Sequence, residues 1–137
     1  SNKMVLQYNA YKFENINING RLTLGENLAD YGGIKISLKT MINNNPDFLE
    51  KIKKNISKIQ KIEDFTSIQQ FFIAYANCWK CLVTKQYEIQ KIKSDPHSPN
   101  HFRVNGPLSI IEEFHQNFNV NEGDKLFVES KKRCNIW

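Results

Sequence analysis

Apolar residues recur three and four positions apart along most of this chain, a spacing that predicts helices and little else. Met4, Val5, Tyr8 and Tyr11 carry it at the start, with no capping residue ahead of them. The chain therefore reads as opening inside a helix, with Ser1-Asn2 as a tag scar at a cut in something longer. The polar, turn-rich stretch from Asn15 to Gly20 predicts a loop. A long helix is expected from Glu26 to about Asn43. Gly32-Gly33 inside it costs stability unless close packing or a bend requires the pair. Pro46 suits the first turn of the next helix, in which Phe48, Leu49, Ile52, Ile56, Ile59 and Ile62 form an apolar face. Thr66 or Ser67 can cap the following helix, with Gln69 and Gln70 in its first turn. Its apolar positions, Phe71, Phe72, Ala74, Tyr75, Cys78, Trp79 and Leu82, cover more than one face, which predicts a buried central helix. A short helix through Tyr87, Ile89 and Ile92 leads to the Pro-flanked loop at Asp95. Ser109 can cap a helix carrying Ile110, Ile111, Phe114 and Phe118. The segment Asn119–Asp124 reads as a loop, and the end as an irregular tail.

A chain of 137 residues supports one domain with a modest core. Its 40% hydrophobic and 24% charged content is that of a globular domain. No run approaches the roughly 18 apolar residues that cross a bilayer, and no charged-then-apolar signal segment opens the chain. The net charge of +5 raises nucleic-acid binding as a function. However, Lys51, Lys53, Lys54, Lys58 and Lys61 alternate with the isoleucines, which makes them the solvated face of an amphipathic helix. No aromatic platform or recognition motif accompanies them, so no nucleic-acid partner is expected. Three cysteines cannot all pair within one chain. Cys78 and Cys81 form a C-x-x-C with no second pair to complete a metal site, and read as small buried or half-buried thiols.

The candidate chemistry begins at Glu26 and Asp30. Four residues apart, they share one face of a helix. That spacing suits a zinc-binding carboxylate with a second carboxylate one turn on, placed to orient a histidine ligand. The histidines of such a site normally sit on an H-E-x-x-H helix. No H-E-x-x-H occurs in these 137 residues, so the chain reads as one half of a zinc peptidase site. His97 and His101 mimic the histidine spacing but are rejected as a zinc pair. Ser98 stands where the general base belongs, and Pro99 disfavours a continuous helix through them. His101 and His115 read as ordinary surface residues.

Three separated motifs carry a resemblance. Gly25-Glu26-Asn27-Leu28-Ala29-Asp30 is followed by Gly32-Gly33; Asp95-Pro96-His97-Ser98-Pro99 is followed by Phe102-Arg103-Val104; and the chain ends in Cys134-Asn135-Ile136-Trp137. In that order they resemble the C-terminal part of the neprilysin and endothelin-converting-enzyme family of zinc endopeptidases, from about Gln7 to the last residue. The resemblance implies a mainly α fold, the helical C-terminal part of a thermolysin-like (gluzincin) catalytic domain. Residues 1–137 would form a single domain from which the H-E-x-x-H portion is missing.

The same resemblance implies zinc as cofactor. Glu26 would be its third ligand, joining two histidines on an N-terminal half of the peptidase, and Asp30 would fix the tautomer of one of them. His97 resembles the donor to the oxyanion of the tetrahedral intermediate. Asp95 would hold its ring, and Pro96 and Pro99 would restrict the backbone around it. Arg103 resembles the arginine that binds a substrate backbone carbonyl, the alternative being a structural salt bridge. Cys78 and Trp79 fall where the family walls the pocket for the side chain after the scissile bond; they read equally well as core residues.

In relatives with disulfides, a cysteine matching Cys134 pairs with one at the position held here by Lys3. Another usual cysteine is replaced by Lys80, and Asn135 replaces a residue that is often Arg. The disulfide framework is thus dismantled, which leans towards a reducing, cytoplasmic compartment. Two functions follow. One is a piece of an enzyme that hydrolyses peptide bonds in oligopeptides, inactive by itself. The other is a truncated, non-catalytic relative that docks on an intact peptidase or on peptides as a binding or regulatory module. Retention of Glu26, Asp30, His97 and Arg103 together favours the first.

Overall fold

The computed structural model describes residues 2–44 and 65–135. The lysine-rich helix expected after Pro46 lies outside the described residues. Helix α1 (Asn2–Asn9) buries Met4 and Tyr8. A two-residue hairpin follows, β1 (Lys12–Phe13) paired antiparallel with β2 (Ile16–Asn17). The expected Asn15–Gly20 loop is therefore partly strand, and Ile18 is buried in the core behind it. Glu14 turns the hairpin with a φ of 53°. Helix α2 (Leu24–Asn43) begins two residues before the expected Glu26. Its buried positions, Asn27, Tyr31, Gly32, Ile34 and Leu38, recur at the helical period, and it packs against α1.

Helix α3 (Ser67–Cys78) starts with a full capping box. Thr66 accepts from the Gln69 amide, and the Gln69 side chain accepts from the Thr66 amide. The helix is not the buried centre that its composition predicts. Only Ile68, Gln69 and Phe72 are buried, Phe72 against the edges of Phe114 and Phe118. The helix stops at Cys78, so Cys78, Cys81 and Leu82 are exposed rather than packed. All three cysteines are unpaired, and Cys134 is buried. Helix α4 (Lys85–Ser94) is capped by the Thr84 hydroxyl.

Helix α5 (Asn100–Leu108) is an element the apolar spacing does not predict; it begins just after Pro99, the residue expected to disfavour a continuous helix through His97 and His101. Pro99 instead takes the N-cap, where a missing N–H is harmless. Pro107 cannot donate to the carbonyl four residues back, that of Arg103. The Tyr75 hydroxyl donates to it instead, at 2.8 Å. The neighbouring Phe102 carbonyl accepts from Tyr8 at 3.3 Å. Two phenols from α1 and α3 thus hold consecutive carbonyls of α5, which itself packs on α2. Burial raises the pKa of both tyrosines far above the usual range, with Tyr11 adding to the effect on Tyr8 and Asp30 to that on Tyr75, so both remain donors.

Gly106 makes room for this arrangement. A Cβ there would stand 2.2 Å from the Tyr8 hydroxyl oxygen and 2.5 Å from Cζ. Tyr8 is wholly buried, so its ring cannot swing into solvent to make way. Gly106→Ala is expected to lower stability by roughly 1–3 kcal/mol, the usual range for overpacking. A denaturant midpoint unchanged from wild type would show that the ring can give way.

Ser109 ends α5 rather than starting the next helix; α6 (Glu112–Phe118) follows Ile111 with no side-chain cap. His115, expected at the surface, is 5% exposed. Its Nε2 donates to the Ser109 carbonyl at 2.7 Å, and its Nδ1 accepts from Arg133 at 3.0 Å. Arg133 also donates to the Val128 carbonyl and pairs with Glu112, which ties the tail to α6. At the other end of the chain the Lys3 ammonium donates to the carbonyls of Lys131 at 2.6 Å and Arg133 at 3.3 Å. Among the described residues no helix is long and apolar enough to cross a membrane.

Candidate active site

Glu26 lies in the first turn of α2, and Asp30 follows one turn on, on the same side. The segment between α4 and α5 brings His97 to them. There the Asp95 carboxylate accepts the His97 backbone amide at 2.8 Å and its Nδ1–H at 2.7 Å. A carboxylate two residues before the imidazole therefore fixes both the turn and the ring. Burial pushes the Asp95 pKa up, but the two bonds from His97 outweigh it and hold the group below its ordinary value. With Nδ1 committed, Nε2 is the free edge of the ring, and it lies 3.3 Å from Oε2 of Glu26.

Arg103 reaches the same place from α5. Its Nε and one terminal nitrogen donate to the two oxygens of Asp30, each at 2.7 Å. This fork-on-fork pair is nearly out of water, the side chains being 13% and 8% exposed. Hydrogen bonds to Asp30 hold the guanidinium pKa above its ordinary value despite burial, so its charge is permanent. The nitrogen that meets Asp30 also lies 3.7 Å from Glu26. The guanidinium carbon stacks 4.0 Å from the Trp79 ring, a cation–π contact from the C-cap of α3.

Cys78 sits one residue earlier, exposed. It lines an open groove between α2 and α3 together with Ala29, Asp30, Gly33 and Tyr75. A Cβ at Gly33 would meet nothing within 4 Å, so the described residues give it no close-packing role; Gly32 is buried. Glu26, Asp30, His97, Arg103 and Trp79 thus form one contiguous cluster, and Cys78 borders it. His101 is exposed and stands outside, its ring tilted on Phe102.

Two supports of the cluster were not singled out from sequence. Tyr8 and Tyr75 pin the helix that carries Arg103; Pro107, with an aromatic hydroxyl to replace its missing N–H, was the available signal. Asn27 and Ser98 belong to the two motifs, but residue order gives them no role of their own. Both are fully buried, and the Ser98 hydroxyl donates to the Asn27 side-chain oxygen at 3.0 Å.

The arrangement can bind charge of both signs. Glu26 offers a half-exposed carboxylate, a hard oxygen donor that suits zinc. His97 offers Nε2, and Arg103 offers the terminal nitrogen not engaged by Asp30. Among the described residues, no group of three or more His, Cys, Asp and Glu side chains could hold a metal ion. The donors present therefore fit one corner of a metal site rather than a whole one.

The sequence profile of Peptidase family M13 matches residues 1–134. The chain belongs to peptidase family M13. It is 36% identical to endothelin-converting enzyme 1 of Rattus norvegicus over 135 residues, which is 98% of this chain and 16% of that protein. It is 33% identical to neprilysin-3 of Drosophila melanogaster, over 96% of this chain and 16% of that protein. Among solved structures it is similar to the zinc metalloprotease ZMP1 of Mycobacterium tuberculosis in its open state. That match has a TM-score of 0.81 and 29% identity, and covers 99% of this chain and 21% of the other. The chain thus spans about one sixth of the length of the curated relatives it matches. The M13 relatives are zinc metallopeptidases, and the mainly helical fold is that of the C-terminal region of M13 peptidases.

Proposed function

We propose that this chain supplies the C-terminal part of the active site of a zinc endopeptidase that cleaves oligopeptides. The observation that carries the reading is the cluster itself: Glu26, His97, Arg103 and Asp30 converge from three separate segments of an M13 chain. Glu26 is assigned the metal, as one ligand beside two histidines on a partner segment carrying H-E-x-x-H. The chemistry that zinc supplies when held there is polarisation of a carbonyl and activation of water.

The chain's own residues do the rest. Asp30 keeps lone pairs beyond the two used by Arg103, and accepts the ring N–H of a histidine ligand. His97 is held by Asp95 through Nδ1, and donates from Nε2 to the oxyanion when the ring carries both protons. Arg103 holds a peptide carbonyl with the nitrogen that Asp30 leaves free. Trp79 and Cys78 wall the pocket for the side chain after the scissile bond. Three unpaired cysteines and Lys3 support a reducing compartment for the whole protein.

The 137 residues alone are expected to bind zinc weakly and cleave nothing, because they offer one carboxylate towards the expected three ligands. Adding the H-E-x-x-H portion is expected to restore zinc-dependent cleavage of a fluorogenic oligopeptide. Chelator-sensitive cleavage by the 137 residues alone, with contaminating protease excluded, would overturn the assignment.

A further inference from the structure

A chain of hydrogen bonds runs beneath the cluster, all in one direction. The Ser98 hydroxyl donates to the Asn27 oxygen at 3.0 Å, and the Asn27 amide donates to the Thr23 hydroxyl at 2.9 Å. The Thr23 hydroxyl donates to the Asn19 carbonyl at 3.1 Å. Ser98 and Asn27 are 0% exposed and Thr23 is 3% exposed, so none of these groups can turn to water instead. Thr23 is the N-cap of α2, yet its side chain makes no capping bond, because the hydroxyl serves the relay. Asn is the residue type this requires at position 27: one atom accepts and the other donates, at the reach of a single Cβ.

The ends of the relay matter. Asn27 follows Glu26, and Ser98 follows His97. On a helix, successive side chains point about 100° apart, so Glu26 faces the cluster while Asn27 faces the core. The two site residues lie on segments 71 residues apart in sequence, and the Ser98–Asn27 bond joins those segments directly behind them. We infer that Asn27 and Ser98 are positioning residues, a buried latch that sets the His97 imidazole against Glu26 and so fixes where the oxyanion donor stands. The inference rests on the peptidase reading above for what that placement achieves.

The test uses the full-length protein that carries this chain. Asn27→Ala and Ser98→Ala are each expected to lower kcat by about tenfold or more, with KM within about twofold and zinc content unchanged. A displacement of about an ångström at a catalytic group has effects of that order or larger. Ser98→Ala deletes one hydroxyl and keeps the test open should Asn27→Ala not fold. A merely structural role is separated by background. In His97→Ala protein, either substitution is expected to add less than about twofold, since the group it positions is gone. Equal losses in both backgrounds, or no loss in either, would overturn the latch.

Failure of the peptidase reading looks different: wild type would then show no zinc-dependent cleavage, and His97→Ala would change nothing. Crystal structures of the wild type and Ser98→Ala decide the latch in that event. A variant in which the His97 ring leaves Glu26 upholds it. A variant in which the ring stays in contact, as at 3.3 Å here, refutes it.

Discussion

Full-length protein carrying Glu26→Gln is expected to lose its zinc and its peptide cleavage together, whereas His97→Ala keeps the zinc and loses roughly a hundredfold or more in kcat. The two residues touch, yet they are assigned different work. The neutral amide of Gln keeps the shape of Glu26 but is a poor metal ligand, so the proposed set of three protein ligands would fall to two. His97 is turned by Asp95 so that only Nε2 faces the cluster. Removing a donor of that kind takes away stabilisation that exists chiefly in the transition state, so kcat falls while KM moves little. Metal analysis and steady-state kinetics on the same preparations separate the two. Full zinc occupancy in Glu26→Gln would remove Glu26 from the metal. Loss of zinc in His97→Ala would make His97 a ligand rather than an oxyanion donor.

Asp30→Ala is expected to lower stability by about 3 kcal/mol or more, the size found when one member of a buried ion pair is removed. The guanidinium of Arg103, 13% exposed in the intact pair, would lose its two strongest bonds and be left with Glu26 at 3.7 Å and the Trp79 ring. Replacing both Asp30 and Arg103 with apolar residues of similar size is expected to recover much of that loss, because most of it is the burden of a stranded charge. A urea titration with matched m-values makes the comparison. A loss under about 1 kcal/mol for Asp30→Ala would mean that the pair is screened by solvent as a surface pair is.

The parts of the site that depend on short-range geometry were legible in the residue order. Glu26 and Asp30 share a face because four residues make about one helical turn, and Asp95 reaches the His97 amide because a carboxylate two residues back does so in a turn. Arg103 was legible as important but not as the partner of Asp30, since a pairing across 73 residues leaves no local trace. Helix α5 was hidden by its own composition. Pro99 and Pro107 break helices unless the N–H they lack is not needed or the stranded carbonyl finds another donor, and Tyr75 is far away in sequence. The same limit misplaced His115. A histidine on a polar-looking stretch is read as exposed until Ser109 and Arg133 are known to meet it. Composition also overstated α3, whose later apolar residues stand at the cluster and groove rather than in the core.

The clasp made by Lys3 joins two places 128 and 130 residues apart in the chain. A covalent bridge across the same span would act on the unfolded chain as well, shrinking the ensemble from which folding starts. An ammonium on two carbonyls acts only once the ends have met. This contact therefore leaves the unfolded chain its conformational freedom, and the closure of the loop must be met by the core and by α1 docking. In exchange, this contact needs no oxidant to form, and a reductant has nothing in it to undo.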